Sequence, residues 1–259
     1  DPKHANNLGN YATFLWKHRQ DYDKAEEYYQ RAIKADPKDA NNLGNYANFL
    51  WKQRQDYDKA EEYYQRAIKA DPKNVSNLGN YAIFLKNQRQ DYDKAEEYYQ
   101  RAIEADPKHA NTLGNYATFL CDQRQDYDKA EEYYQRAIEA DPKNVSNLGN
   151  YAIFLKNQRQ DYDKAEEYYQ RAIEADPKDA EVLGSYAVFL YERRHDHDKT
   201  EEYLQKALAV DPDCITNLEN YAEYLEDVCH DAKAAQEYRQ RAEKLRTEQD
   251  KTTPSDKNS

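Results

Sequence analysis

The segment Asp21 to Pro37, DYDKAEEYYQRAIKADP, returns almost unchanged from Asp56, Asp91, Asp126 and Asp161, each 35 positions after the last. Altered forms follow from Asp196 (DHDKTEEYLQKALAVDP) and Asp231 (DAKAAQEYRQRAEKL). Repeats of this period bury their apolar faces only against their neighbours, so a single closed core is excluded. One elongated domain is expected over 1-245, with units at 1-35, 36-70, 71-105, 106-140, 141-175, 176-210 and 211-245. The third and fifth units are identical at every position.

Each unit carries two helical periods. Leu8, Tyr11, Ala12 and Leu15 stand at i, i+3, i+4 and i+7, and Tyr22, Ala25, Tyr28, Tyr29, Ala32 and Ile33 continue the same 3.6-residue rhythm. Asp21 or Asp23 is placed to cap the second helix, with Glu26 completing a carboxylate version of the capping box. Asp36-Pro37 ends that helix, because proline has no amide and disfavours the α region before it. The short connections make each pair of helices antiparallel.

Charged residues make up 34% of the chain and apolar ones 39%, a balance that approaches disorder but for 26 tyrosines at recurring positions. Each tyrosine buries a large ring behind a polar tip. The net charge of −12 leaves no basic stripe to track phosphates, so no nucleic acid is expected as partner. Cys121, Cys214 and Cys229 sit at unrelated repeat positions, as reduced thiols of an intracellular, cytoplasmic protein would. No apolar run approaches the roughly 20 residues of a membrane span, so no membrane is expected. Asp21-x-Asp23-x-x-Glu26 lacks the glycine and ligand spacing of a calcium loop, and His195 with His197 occurs in one unit alone. No nucleophile has a recurrent base beside it and no glycine-rich phosphate loop occurs, so neither catalysis, metal nor cofactor is expected. The chain opens in register with the repeat and contains no methionine, as a piece of a longer protein would.

Leu8-x2-Tyr11-Ala12-x2-Leu15, Ala25-x3-Tyr29, Ala32 and Pro37 fall at the spacings of the tetratricopeptide repeat, and over residues 1 to 245 the chain resembles that family. The resemblance implies an all-α fold, a right-handed α-solenoid of seven antiparallel helix-turn-helix repeats. Leu8 replaces the family's tryptophan, Tyr11 and Leu15 exchange its Leu and Tyr, and Ala12 replaces its Gly. The unit is one residue longer than the family's 34, and the extra residue is expected in the turn between the helices. Glu219, Arg239, Glu223, Glu226, Asp227 and Glu243 make the last unit a polar cap, followed over 246-259 by a helical extension and disordered tail. The first unit has no such changes, so its face is expected to continue into further repeats or to stack end to end on another molecule.

In proteins of this family a second stripe on the first helix lines a concave groove that holds peptides. Carried onto this chain, the stripe gives a carboxamide ladder of Asn10, Asn45, Asn80, Asn115 and Asn150, able to hold an extended backbone by donating and accepting. Beside it run Thr13, Asn48, Ile83, Thr118, Ile153 and Val188, then Trp16, Lys17, Trp51, Lys52, Lys86, Lys156 and Tyr191. The units differ mainly along this stripe. The tryptophans either anchor a partner or cover the adjacent helix. The recurrent glycine, from Gly9 to Gly184, either makes room for a ligand or lets neighbouring first helices pack closely. With Glu181, Glu192, Glu223 and Glu226 at the far end, the expected partner is a peptide or helix of another protein, apolar in its middle and oppositely charged at its ends. The function so implied is a non-catalytic protein-protein interaction scaffold. Two alternatives stay open: a structural or designed self-stacking solenoid without ligand, and an RNA-binding helical repeat, for which the basic groove is missing.

Overall fold

Each second helix begins where an aspartate takes up a free amide, and each first helix ends where one residue too many must be accommodated. The computed structural model describes residues 2-252, with side chains for 4-248. The helices are α1 (Pro2–Phe14), α2 (Tyr22–Ala35), α3 (Ala40–Phe49), α4 (Tyr57–Ala70), α5 (Val75–Phe84), α6 (Tyr92–Ala105) and α7 (Ala110–Phe119). They continue with α8 (Tyr127–Ala140), α9 (Val145–Phe154), α10 (Tyr162–Ala175), α11 (Ala180–Phe189), α12 (His197–Val210), α13 (Ile215–Asp227) and α14 (Ala232–Thr252). No strand occurs among the described residues, and none of these helices is long and apolar enough to cross a membrane. Residues 253-259 of the expected tail lie outside the described residues, while α14 supplies the helical extension as far as Thr252.

The extra residue is absorbed before the turn rather than within it. Five residues after each of α1, α3, α5, α7, α9 and α11 continue as π-helix, from Leu15–Arg19 to Leu190–Arg194. In the first unit the N–H groups of Gln20 and Asp21 both reach back to the carbonyl of Leu15, five and six positions away. A turn widened in this way holds one more residue than an α turn. Gln20 closes it in the left-handed region at φ 54°, and Gln55, Gln90, Gln125, Gln160 and His195 do the same; His230 takes the same region after α13, which no π-helix follows.

Asp21 Oδ1 accepts from the Lys24 N–H at 3.3 Å, and the matching aspartates cap α4, α6, α8, α10 and α12. Glu26 does not complete a capping box. Its carboxylate accepts from Arg54 Nε at 2.8 Å and from the Tyr46 hydroxyl at 3.1 Å, while Asp23 accepts from the other end of the same guanidinium at 2.7 Å. The acidic first turn thus clamps the next repeat. Arg89 repeats the arrangement on Asp58 and Glu61, Arg159 on Asp128 and Glu131, and Arg194 on Asp163 and Glu166.

The helices gather into two compact units that divide between Gln123 and Arg124. Each is a stack of antiparallel hairpins, the α-solenoid arrangement. In the first unit α1 packs on α2, α3 on α4 and α5 on α6; in the second α9 packs on α10, α11 on α12 and α13 on α14. Tyr29 lies 5.6 Å from both Tyr46 and Phe49 of the next repeat, and Tyr64 meets Tyr81 and Phe84 in the same way. These rings, with Ala12, Ala25 and Ala32 between them, form the buried seam. Ring pairs of this kind add about 0.5–1.5 kcal/mol each beyond the area they bury, which offsets the low apolar content. In the last repeat Arg246 bridges Glu219 and Glu243, Arg241 pairs with Asp213 and Arg239 with Glu226, giving a charged outer surface.

Candidate functional site

Neighbouring first helices meet at the recurrent glycine. A Cβ built on Gly9 would lie 1.7 Å from Asn42 Oδ1, and on Gly44 or Gly184 it would lie 1.9 Å from Asn77 or Asn217 Oδ1. These asparagines are buried, and Asn77 and Asn217 donate at 2.9 Å to the carbonyls of Ala40 and Ala180 on the preceding first helix. The glycine therefore serves close helix packing at these positions. Glu219 replaces it in the last repeat, where its carboxylate reaches Arg246 on α14. The partner asparagine was open to discovery in the sequence, since Asn7, Asn42, Asn77, Asn147 and Asn217 share one repeat position.

In the first unit the stripe is partly committed to the fold. Thr13 Oγ1 shares a hydrogen bond of 2.9 Å with the Tyr29 hydroxyl, and Asn48 Oδ1 accepts from the Tyr64 hydroxyl at 2.6 Å. Thr118 donates to the Gly114 carbonyl. Trp16 and Trp51 set their edges on Phe49 and Phe84 at 5.6 Å; Trp51 is buried and Trp16 half-buried. Lys17 and Lys52 lie over those indoles at 5.8 and 5.3 Å. Asn10 and Asn115 are exposed, and Asn45, Asn80, Ile83 and Lys86 are half-buried.

Position 13 of each unit decides what becomes of the buried tyrosine sixteen residues on. Where the former is isoleucine, as at Ile83 and Ile153, no oxygen is available, and the hydroxyls of Tyr99 and Tyr169 are buried without a hydrogen-bond partner. Burial pushes both well above the ordinary tyrosine value, so both stay protonated and able to donate. Where Val188 takes the position, Leu204 replaces the tyrosine and no hydroxyl is left over.

In the second compact unit a cavity of about 120 Å³ lies between α9 and α11. Ser146, Gly149, Asn150 and Ile153 line one side, Val182 and Ser185 the other, with Tyr169 from α10 and the carboxylates of Asp179 and Glu181 completing the lining. Val182 stands where five of the other six repeats place asparagine and the fourth places Thr112, and its Cγ2 would meet a Cβ on Gly149 at 3.3 Å, a looser fit than the asparagines give. A second cavity of about 150 Å³, beside Leu204, is lined by Val188, Tyr191, Glu192 and Glu223 among others. Lys156 Nζ is held 3.2 Å from Glu192, and the Tyr191 hydroxyl donates to Asp227 at 3.4 Å. Periodicity assigns Tyr169 to the core alone; Val182 and Ser185 signal themselves only as breaks in two asparagine series. Among the described residues no group of three or more His, Cys, Asp and Glu side chains is arranged to hold a metal ion.

Sequence profiles described as tetratricopeptide repeat match residues 15–75, 74–143, 123–188 and 156–216. No curated protein matches the sequence. Among solved structures, Pseudomonas aeruginosa pilF superposes with a TM-score of 0.66 at 20% identity, over 85% of this chain and 98% of its own. A tetratricopeptide repeat protein from Parabacteroides merdae gives 0.65 at 19%, over 98% and 95%. The human IFIT1 dimer, solved with m7Gppp-AAAA, gives 0.70 at 19%, over 89% of this chain but only 57% of its own. At these identities the likeness is one of fold.

Proposed function

Since this chain belongs to the tetratricopeptide repeat proteins, we propose that it is a non-catalytic scaffold that holds an extended segment of a partner protein against its first helices, in a reducing, cytoplasmic setting. The observation that carries this reading is Tyr169, which lines the cavity between α9 and α11 and whose hydroxyl is buried without a partner. A buried hydroxyl left unpaired costs about 1–3 kcal/mol, a cost that a ligand's carbonyl would relieve. Asn150 and Ser185 add groups that both donate and accept, Ile153 and Val182 add an apolar wall, and Asp179 and Glu181 favour a basic residue alongside. The acidic chain is a poor counterpart for the phosphates of a ligand such as the m7Gppp-AAAA with which human IFIT1 was solved.

The test begins with random extended peptides selected on the full chain and measured by fluorescence anisotropy. Tyr169→Phe is expected to weaken the selected peptide about 3- to 10-fold, the worth of one hydrogen bond, while leaving the fold as stable or more so. Ile153→Thr is expected to do the same, because a threonine there would take the hydroxyl as Thr13 takes that of Tyr29. Peptides that bind both variants and the parent chain equally would refute the reading.

A further inference from the structure

The cavity of about 150 Å³ among α11, α12 and α13 lies beside two side chains that depart from the repeat. Five repeats place alanine and tyrosine at the positions of Thr200 and Leu204, as in Ala165 and Tyr169. With leucine at 204 that ring is missing, and the space is walled by Tyr191 and Tyr224, whose rings meet at 82° with centroids 6.2 Å apart. Both of their hydroxyls are engaged, that of Tyr191 on Asp227 at 3.4 Å and that of Tyr224 on the His197 carbonyl at 3.0 Å, so the two residues offer the cavity ring surface. The acceptors in the lining are Glu192, Asn220 and Glu223. Lys156 holds Glu192 at 3.2 Å and Arg239 pairs with Glu226, whereas Asn220 and Glu223 make no hydrogen bond or ion pair among the described residues.

We infer that this cavity seats the side chain of a lysine from the partner segment, a step that rests on the reading of the chain as a peptide-holding scaffold. An ammonium is attracted to the faces of tyrosine rings, and a carboxylate beside them strengthens its hold. The same compact unit shows the combination within the chain: Lys206 Nζ lies 4.6 Å over the Tyr203 ring and 2.6 Å from Glu202. A neutral apolar side chain would fill the space but leave Glu223 and Asn220 without a donor. Arginine fits less well, because its donors lie in one plane, while these acceptors stand around a corner of perpendicular rings and suit the three diverging donors of an ammonium. A cavity of this size holds a molecule as large as benzene, so the slim stem of lysine has room.

The probe is Nα-acetyllysine amide, titrated into the full chain with isotope-labelled valine and leucine methyls and followed by NMR at Val188. Saturable shifts in the millimolar range are expected for a ligand this small. The neutral isostere Nα-acetylnorleucine amide, and Nα-acetylarginine amide, are expected to bind about 5-fold more weakly or worse. Glu223 is exposed, so Glu223→Gln leaves the fold intact, and it should weaken the lysine amide about 5- to 10-fold. Thr200→Ala with Leu204→Tyr restores the pair that five repeats carry, and this filled variant should keep its helical circular dichroism and lose the binding. The titration uses no peptide, so it fails or succeeds separately from the Tyr169 reading, and Tyr169→Phe should bind the lysine amide as the parent does. Peptides selected on the parent chain should carry a lysine whose replacement by norleucine weakens binding to the parent but not to the filled variant. Equal shifts with norleucine amide, tighter binding of arginine amide, undiminished binding by the folded filled variant, or selected peptides indifferent to the lysine replacement would overturn the inference.

Discussion

At Gly44 and Gly79 the same residue, in the same repeat position, is held by different neighbours. A Cβ on Gly44 would lie 1.9 Å from Asn77 Oδ1, an amide fixed by its bond to Ala40, whereas on Gly79 it would lie 3.4 Å from Thr112 Oγ1, an ordinary contact. Alanine favours a helix interior over glycine by about 1 kcal/mol. Gly79→Ala should therefore stabilise the protein by up to that amount. Gly44→Ala should destabilise it by about 1–3 kcal/mol, as Asn77 gives up its buried hydrogen bond. Urea unfolding of the two variants separates the cases, and equal effects would mean that the asparagine contact does not select the glycine. At this scale the sequence announces that glycine recurs but not why, because the reason lies on a helix about 35 residues further along. The orphan hydroxyl of Tyr169 is hidden for a related reason: it depends on residue 153 of the other helix, a pairing that no periodicity within one helix contains.

For the helical elements, the apolar stripes are plain in the sequence because a 3.6-residue period fixes which side chains share a face. The clamp formed by Asp23, Glu26 and Arg54 is not, since charges spaced along an exposed face read equally well as capping or solvation. The end of the first helix is also only half legible. The count of 35 requires an extra residue, but a π turn and a longer loop satisfy the count alike. The turn's closing residue offers a test. Gln90 is exposed and holds φ at 54°, a region that costs a side-chain-bearing residue about 1 kcal/mol relative to glycine. Gln90→Gly should raise stability by about 0.5–1 kcal/mol, the relief of strain exceeding the added freedom of the unfolded chain. A lower urea midpoint for this variant would show that the glutamine side chain contributes something the backbone geometry does not reveal.

On the scale of the whole molecule, 26 tyrosines make the folded chain sensitive to alkali. Burial pushes Tyr29, Tyr151, Tyr186 and Tyr224 up to about 12, above the ordinary 10 they regain on unfolding. Their contribution to stability is fully present below pH 10 and is lost as the pH rises from there through about 12. Helical circular dichroism and tyrosinate absorbance should therefore change together and steeply in that window. Gradual ionisation with the helices intact would contradict the burial. The left-handed residue has a consequence for the widened turn itself. It closes the first helix in all seven repeats, including the seventh, where His230 follows α13 without the π-helical residues of the other six. Each second helix sets out two positions after it in every repeat, so the direction of the hairpin is carried by that one residue even where the π turn is lost.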